Sequence, residues 1–523
     1  MARSLSGCLM LRIVSLPIAI FSFAILGNAW AADKDNPLKE ALALEDATKE
    51  AIKSAEPSIA CILVTRDKKE YEKVGQGPSA DEPGRLGGFQ IPSPTDPESV
   101  KKSRKLDLSD PDYVPESYGS GIVISAKERL ILTNYHVVRD AVKIYVRVSQ
   151  AGKGGEVIEK GSYANIHAAD PRSDLAVLQL LDPKIPLTEI RVGNAKNLEK
   201  GQFVVALSYP FAVGFRDGSP SASFGIISNI RRPVLNNLME VERSKFTLAQ
   251  YGRLIQVDAR LNLGCSGGAL VNLKGEMIGI TNSLAALSGV ETPGGFALPF
   301  DDSIRAIVDV LKRGEEVEYG FLGVSMHRDT QRADAYQIES VIPNSPAEKA
   351  ELRERTYIVS INGVPIHDAN ELFFNINIIT AGSSVKIVVA NQLGGDTETK
   401  TAILAKSYVV GSVIASQRPD IKKYGGLRVD YTSVLVQSLR ERNSPYQGGL
   451  PHGVMIREVA PQSPAEQALL QPDKIVAKVN GEAVNAPKDF YAAMDKARKR
   501  AKSVELEITN LGRDPYTVKL DLP

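Results

Sequence analysis

The stretch LNLGCSGGALVN, residues 261–272, sets Ser266 among small residues just ahead of an apolar run. Gly-Ser-Gly clusters are ordinary loop chemistry, so this serine acquires meaning only from what the rest of the chain supplies. Around it lie short β-branched segments separated by Gly, Asn, Asp and Pro turns: GSGIVIS at 119–125, then RLILTNYHVV, VKIYVRV, LAVLQLL, QFVVALSY, FGIISNI, LIQVDARL, GALVN and MIGITNS. Short strands at close spacing predict an all-β barrel or sandwich. The segment DDSIRAIVDVLKRG, 301–314, closes the region as a helix, acidic at its start, basic in its last turn and stopped by Gly314.

A serine hydroxyl is a poor nucleophile until a neighbouring base takes its proton, and that base needs a carboxylate to fix its tautomer. The barrel should therefore contain a histidine and an aspartate. Of the five histidines in the chain, His136 ends a strand pattern inside the all-β region, in ILTNYHVV. His167 lies on what reads as an exposed strand, and Asp174 stands at a strand entrance, in SDLAV. Taken singly, His136 reads as a buried core histidine, Asp174 as a cap and Ser266 as a loop hydroxyl. Taken jointly, they read as base, orienting carboxylate and nucleophile.

At 523 residues the chain exceeds what one core supports, roughly 250–300 residues, so about three domains are expected. With 43% hydrophobic and 24% charged residues the composition excludes a disordered or fibrous chain. The formal charge of +1 argues against a nucleic-acid partner, which would call for a strongly basic face. Arg3 and Arg12 precede an apolar run from Ile13 to Leu26, and Ala29, Trp30 and Ala31 form a small-x-small site, which together read as a secretory signal peptide. The run is shorter than the ~20 residues of a spanning helix, so no stable membrane span is expected after its removal. Without this segment the formal charge is −1 and the cysteines are Cys61 and Cys265, too few for a disulfide framework in an exported chain of this size.

Residues 35–56 space apolar side chains at helical intervals among charges, and Pro57 ends the pattern, which reads as an amphipathic arm. From Lys68 to Ser117 the chain is rich in Pro, Gly, Asp and Lys without periodicity and reads as a long exposed loop. Past residue 314 the chain repeats itself: PNSPAEKAEL at 343–352 returns as PQSPAEQALL at 461–470, and SING at 360–363 as KVNG at 478–481, both offset by 118 residues. A shared offset over two separate motifs predicts two copies of one module, each with a helix started by Ser-Pro-Ala-Glu.

LTNYHVV, DPRSDLAVL and GCSGGALVN, in this order and at these separations, resemble the three catalytic segments of the HtrA/Deg serine endopeptidases. SYPFAVG is similar to that family's Asn-Pro-Phe-Gly loop, and the two repeats resemble its PDZ domains, so the resemblance runs from about residue 58 to the C-terminus. It implies a mainly β fold, a chymotrypsin-like double β-barrel followed by two PDZ-like α+β domains. The expected division is signal peptide 1–31, N-terminal helical arm 32–57, protease domain 58–316 with the 68–117 loop insertion, first PDZ-like domain 317–408 and second PDZ-like domain 409–523.

By the same resemblance His136 is the general base, Asp174 its orienting carboxylate and Ser266 the nucleophile, with the backbone N–H groups of Gly264, Cys265 and Ser266 as oxyanion hole. Each such donor is worth about 3–4 kcal/mol of barrier. TNSLAAL, 281–287, with Thr281, Asn282 and Ser283, lines the primary specificity pocket. A peptide carboxylate is expected at Gly320, Phe321, Leu322, Gly323 and Val324 in the first repeat and at Gly425, Gly426 and Leu427 in the second. From Leu322 to Pro346 is 24 residues but from Leu427 to Pro464 is 37, so the second copy carries 13 extra.

This chain departs from the family pattern in two places before the nucleophile. Cys265 replaces an asparagine whose backbone alone serves the hole, and it reads as a small buried filler. Arg260 lies six residues ahead of Ser266, where trypsin-like enzymes hold an aspartate, so cleavage after aliphatic residues is expected rather than after Lys or Arg. The resemblance implies an exported, periplasmic or otherwise extracytoplasmic, ATP-independent endopeptidase acting on unfolded or misfolded proteins. It also implies peptide C-termini as ligands, trimers or multiples of trimers, and no cofactor. The alternative is a peptide-binding chaperone or scaffold whose barrel no longer cuts.

Overall fold

The computed structural model describes residues 37–66, 108–109, 115, 117–151, 157–212, 218–232, 247–248, 254–282, 294–328, 336–511 and 513–522. The stretch read as a signal peptide and nearly all of the 68–117 segment lie outside these residues. Helix α1 (Pro37–Ala55) occupies the stretch read as an amphipathic arm; Leu38 and Leu42 near its start are exposed, and Ala51 and Ala55 are buried. No helix among the described residues is long and apolar enough to cross a membrane.

Strand β1 (Ile59–Thr65) shows why the barrel strands read as continuous apolar runs. Its alternate side chains point to opposite faces, and both faces are buried: Ile59, Cys61 and Leu63 join one apolar cluster, Ala60, Ile62 and Val64 another. With β2 (Ser117–Ser125), β3 (Leu130–Asn134), β4 (Lys143–Ala151), β5 (Val157–Asp170) and β6 (Leu175–Leu180) it forms an antiparallel ring in the order β5-β4-β1-β2-β3-β6, closed by pairing of β5 with β6. A second ring follows, of β7 (Phe203–Ser208), β8 (Ser221–Arg232), β9 (Leu254–Val257), β10 (Ala269–Val271), β11 (Met277–Asn282) and β12 (Gly295–Pro299), closed in the order β10-β11-β12-β9-β8-β7. Closure leaves neither ring with a bare edge. The cluster of Ile59, Cys61 and Leu63 also takes in Val205, Leu207, Ala269 and Val271 of the second ring, so one core joins the two.

Two short segments interrupt this β architecture. A single helical turn, α2 (Tyr135–Val138), follows β3, and α3 (Asp302–Lys312) closes the region as the sequence predicts. Asp301 caps α3 by accepting the N–H groups of Ser303 and Ile304 at 3.0 and 3.1 Å, and Ile304, Ile307, Val308 and Leu311 face the shared core.

The first repeat comprises β13 (Gly320–Phe321), β14 (Val324–Arg328), β15 (Tyr336–Val341), α4 (Pro346–Lys349), β16 (Tyr357–Ile361), β17 (Val364–Pro365), α5 (Ala369–Asn377), β18 (Ser384–Ala390), β19 (Thr397–Ile403) and β20 (Ala405–Lys406). A short strand β21 (Ile414–Ala415) leads on to the second repeat. That repeat comprises β22 (Leu427–Tyr431), α6 (Thr432–Glu441), β23 (Val454–Val459), α7 (Pro464–Gln467), β24 (Ile475–Val479), β25 (Glu482–Ala483), α8 (Pro487–Arg498), β26 (Ser503–Asn510) and β27 (Arg513–Asp521). The sheets run β14-β15-β16-β18-β19 and β22-β23-β24-β26-β27, the same order twice. Ser345 and Ser463 cap α4 and α7 by accepting the N–H groups of Glu348 and Glu466, each at 3.3 Å. Left-handed backbone recurs at the same offset: Asn344 with Gln462, Glu351 with Leu469, Arg355 with Asp473 and Asn362 with Asn480. Arg355 thus adopts a φ of 64° where a glycine would be unstrained. The extra residues of the second copy build α6, between β22 and β23.

Buried charges tie the second repeat to the segment ahead of the first. Lys406, 5% exposed, meets Glu316 at 2.9 Å and Asp430 at 3.0 Å, and Arg457 meets the same two carboxylates at 2.7 and 2.8 Å. Burial alone would raise the pKa of Glu316, but the charges of Lys406 and Arg457 outweigh it and hold it at about 2. A carboxylate depressed below its ordinary value contributes stability that is complete above that value and lost as pH falls through the folded one. Removing one member of a buried ion pair costs about 3–5 kcal/mol. Glu316→Gln is therefore expected to lower the unfolding midpoint at pH 7, with the gap to the parent narrowing from pH 4.5 toward 2 in calorimetric scans.

Candidate active site

The pattern ILTNYHVV reads as a strand that ends at His136; the structure ends β3 at Asn134 and bends the chain into α2. That turn is held from two sides. Arg66 donates to the carbonyls of His136, Val137 and Arg139 at 2.9, 3.2 and 2.9 Å, occupying acceptors that a one-turn helix leaves open. Asp174 holds the other side. Its own carbonyl accepts the Tyr135 N–H at 2.9 Å and the Asn134 amide at 3.0 Å. One carboxylate oxygen accepts the His136 backbone N–H at 2.9 Å, and the other lies 2.8 Å from His136 Nδ1. Asp174 adopts a φ of 56°, a left-handed conformation that a short polar side chain tolerates. A proton on Nδ1 directed at this carboxylate would leave the lone pair on Nε2.

Ser266 comes from the second ring, on the loop before β10. Gly264 and Gly267 there have φ of 91° and 86°, and neither has room for a side chain. A Cβ on Gly264 would stand 2.5 Å from the Tyr209 carbonyl, and one on Gly267 2.2 Å from the Ser120 carbonyl. Ser120 joins the rings: its N–H donates to the Ser266 carbonyl at 2.8 Å, and its hydroxyl donates to the Gly264 carbonyl at 2.7 Å while accepting the Tyr209 N–H at 2.8 Å. Beside it, a Cβ on Gly119 would lie 2.6 Å from Val137 and 3.2 Å from the Ser266 carbonyl. The neighbours of His136 and of Ser266 therefore meet across a single glycine.

The Leu263 carbonyl accepts the Phe211 N–H at 2.7 Å. In a trans peptide the N–H points opposite to the carbonyl, so the Gly264 N–H is turned away from Phe211. No partner occupies it among the described residues. The Cys265 N–H, expected to join the hole, instead donates to the Asn262 carbonyl at 3.1 Å in a tight turn, which corrects the three-donor expectation. The Cys265 side chain is buried and accepts the Asn262 N–H at 3.3 Å, and burial pushes its thiol pKa up. That is the environment of an inert filler.

The specificity-pocket expectation divides. Ser283 lies outside the described residues, and Arg260 is exposed. Thr281 is fully buried, its hydroxyl donating to the Cys265 carbonyl at 2.5 Å, so it braces the Ser266 loop. Asn282, read as a pocket residue, turns its amide onto the Asp174 carboxylate at 3.3 Å. The sequence contains no signal for this, because Asn282 and Asp174 meet only after both rings close.

In the first repeat, residues 320–324 border a cavity of ≈ 500 Å³ whose opposite wall is Leu372, Phe373 and Ile376 of α5. In the second, matching backbone bonds correct the alignment. Ala347 N–H donates to the Leu322 carbonyl and Ala465 N–H to that of Gly425, each a residue following the Ser-Pro cap, at 2.9 and 3.0 Å. Leu322 thus corresponds to Gly425, not Leu427, and Gly323 to Gly426. At the groove expected at Gly426 and Leu427, Tyr491 of α8 accepts the Val429 N–H at 3.3 Å and packs on Tyr424 with ring centroids 4.7 Å apart. An added peptide strand would need that N–H. Tyr491 stands 118 residues beyond Phe373, which has no hydroxyl to reach across.

A hydrogen bond to a charged group is worth about 1.5–3 kcal/mol. Asn282→Ala is accordingly expected to lower kcat about tenfold or more while KM changes little, in steady-state assays on a short peptide. One free-carboxylate peptide is expected to bind per chain by titration calorimetry; two would show that Tyr491 yields.

The chain matches a trypsin-like peptidase domain over residues 119–280 and a PDZ domain over residues 337–391. It is 30% identical over 407 residues to the periplasmic pH-dependent serine endoprotease DegQ of Escherichia coli K12, covering 75% of this chain and 78% of that one. It is 26% identical to a probable periplasmic serine endoprotease DegP-like of Pseudomonas putida F1, covering 97% of this chain and 99% of that one. Among solved structures, the HtrA-type protease AlgW with decapeptide is 24% identical, covers 69% of this chain and 98% of its own, and has a TM-score of 0.47. With its paired six-stranded barrels, its PDZ module and this kinship to DegQ, the chain belongs to the HtrA/Deg family of serine endopeptidases.

Proposed function

We propose that His136, Asp174 and Ser266 are the catalytic triad of this endopeptidase. The observation that carries the reading is the 2.8 Å contact of His136 Nδ1 with Asp174, which leaves Nε2 as the base. In the proposed cycle Nε2 takes the Ser266 hydroxyl proton as the oxygen attacks the scissile carbonyl. The tetrahedral oxygen develops toward the N–H groups of Gly264 and Ser266, and the imidazolium then protonates the leaving amine. Water repeats these steps on the acyl-enzyme and frees the serine.

The substrates are unfolded or damaged proteins outside the cytoplasm, cut after aliphatic residues without ATP. Export is supported by residues 1–31 and by the periplasmic naming of the relatives. The first repeat is the peptide-binding PDZ-like domain, since its groove is open beside residues 320–324, and it recruits exposed C-termini. The second, with Tyr491 across its groove, is a packing module. The division at residues 58–316, 317–408 and 409–523 and the assembly into trimers or their multiples belong to the same reading.

Incubating the mature chain with β-casein beside a Ser266→Ala variant tests it. Casein is expected to disappear only with the parent, with cuts after Val, Ala or Leu by mass spectrometry. Intact casein in both, with suppressed aggregation of a client protein, would instead identify a chaperone.

A further inference from the structure

Four residues before Asp174 lies a second buried carboxyl, which the proposed cycle does not use. Asp170, 1% exposed, ends β5 and pairs with Leu175 of β6, so residues 171–174 form the connection between the two strands and Asp174 is its last member. Asp174 stands there at a φ of 56°, and a left-handed residue other than glycine persists only where its surroundings hold it. The hold matters, because the carbonyl and carboxylate of Asp174 carry the bonds to Asn134, Tyr135 and His136.

Three contacts hold this connection. The Leu248 N–H donates to the Arg172 carbonyl at 2.7 Å. The buried Arg172 guanidinium donates to Asn377 Oδ1 at 2.6 Å, to Ser407 Oγ at 3.0 Å and to the Tyr408 carbonyl at 3.0 Å. Both contacts run outward to other parts of the chain and leave the shape of the connection itself open. The third closes it on itself: Asp170 Oδ2 accepts the Ser173 N–H at 2.7 Å, directly ahead of Asp174. A side-chain acceptor placed in this way does for a turn what a backbone carbonyl otherwise does.

The Asp170 carboxyl is held in its turn. The same Oδ2 accepts the hydroxyl of Tyr319, a fully buried residue in the segment between α3 and β13. Burial, with Asp170 alongside, pushes the pKa of the Tyr319 phenol well above its ordinary value, so it stays a donor. The Arg172 guanidinium carbon lies 5.2 Å from the Tyr319 ring centroid and steadies it from the other side. Asp170 Oδ1 has no hydrogen-bond partner among the described residues. What the connection draws from this side chain is therefore one acceptor oxygen, which an amide also offers and a methyl group does not.

We propose that Asp170 is a positioning residue for the triad: by closing the turn onto the Ser173 N–H it aims Asp174, and through Asp174 the His136 ring. This deepens the triad reading and rests on it. The test follows labelling of the full chain by diisopropyl fluorophosphate, which reports activation of Ser266 without a bound peptide, beside steady-state kinetics on a short peptide. Asp170→Ala is expected to lower the labelling rate and kcat about tenfold or more, with KM within about twofold. Asp170→Asn keeps the acceptor oxygen but puts an NH2 group in the place of the unpartnered Oδ1; it is expected to melt earlier than the parent yet label within about threefold of it. Tyr319→Phe, which leaves the Ser173 bond in place, is expected to slow labelling about threefold. An Asp170→Ala chain that is folded by circular dichroism and labels like the parent overturns the inference. So does an Asp170→Asn chain as slow as Asp170→Ala, because the loss would then not follow the acceptor. Should Asp170→Ala not fold, Tyr319→Phe decides, and labelling at the parent's rate overturns the inference. A parent that takes no label, or a Ser266→Ala chain that takes it, overturns the triad reading itself, so the two failures are told apart.

Discussion

The Asp174 carboxylate accepts the His136 backbone N–H, faces the His136 ring nitrogen and receives the Asn282 amide, at 2.9, 2.8 and 3.3 Å. A buried carboxylate with so many donors is fixed in position. These contacts also fix three chain segments against each other: the turn after β3, the turn before β6 and the end of β11. The last belongs to the second ring. Packing of the two rings about their shared core is thus a precondition for orienting the histidine, and loosening that core would reach the His136–Asp174 contact without touching either residue.

The Ser266 loop depends on the same union from the other side. Its glycines adopt backbone that side chains would obstruct, and its carbonyls at Gly264 and Ser266 are held by the hydroxyl and N–H of Ser120 in β2. Removing that hydroxyl would take a hydrogen bond from the Gly264 carbonyl and another from the Tyr209 N–H, and a buried polar group losing its partner costs about 1–3 kcal/mol. The orientation of the Gly264 N–H follows in turn from the Phe211 bond to Leu263, so the loop containing Phe211, itself at a φ of 55°, helps aim that N–H.

The two repeats share one scaffold and differ in side chains. Backbone, caps and left-handed positions coincide at the 118-residue offset, yet Phe373 becomes Tyr491, whose added hydroxyl takes the Val429 N–H. The insertion that forms α6 brings Gln437 to the wall of the first repeat's groove. Divergence in the second copy thus bears on the first.

Much of this was legible in the sequence, for reasons of local physics. Strand runs, the capped helix at 302–312, the Ser-Pro-Ala-Glu helix starts and the duplication all depend on near neighbours along the chain, and the order of LTNYHVV, SDLAV and GCSGG marked His136, Asp174 and Ser266. Sequence could not show that Cys265 turns its N–H to Asn262, that Asn282 meets Asp174, or that Ser120, Arg66 and Arg172 brace the site. Ser120 and Gly264 stand 144 residues apart, and Arg172 and Asn377 205. Pairings over such distances are set by ring closure and by the packing of one element on another, which no local pattern encodes. The residue types able to do the chemistry were settled by the sequence; which atoms they face was settled only when the two rings and the first repeat came together.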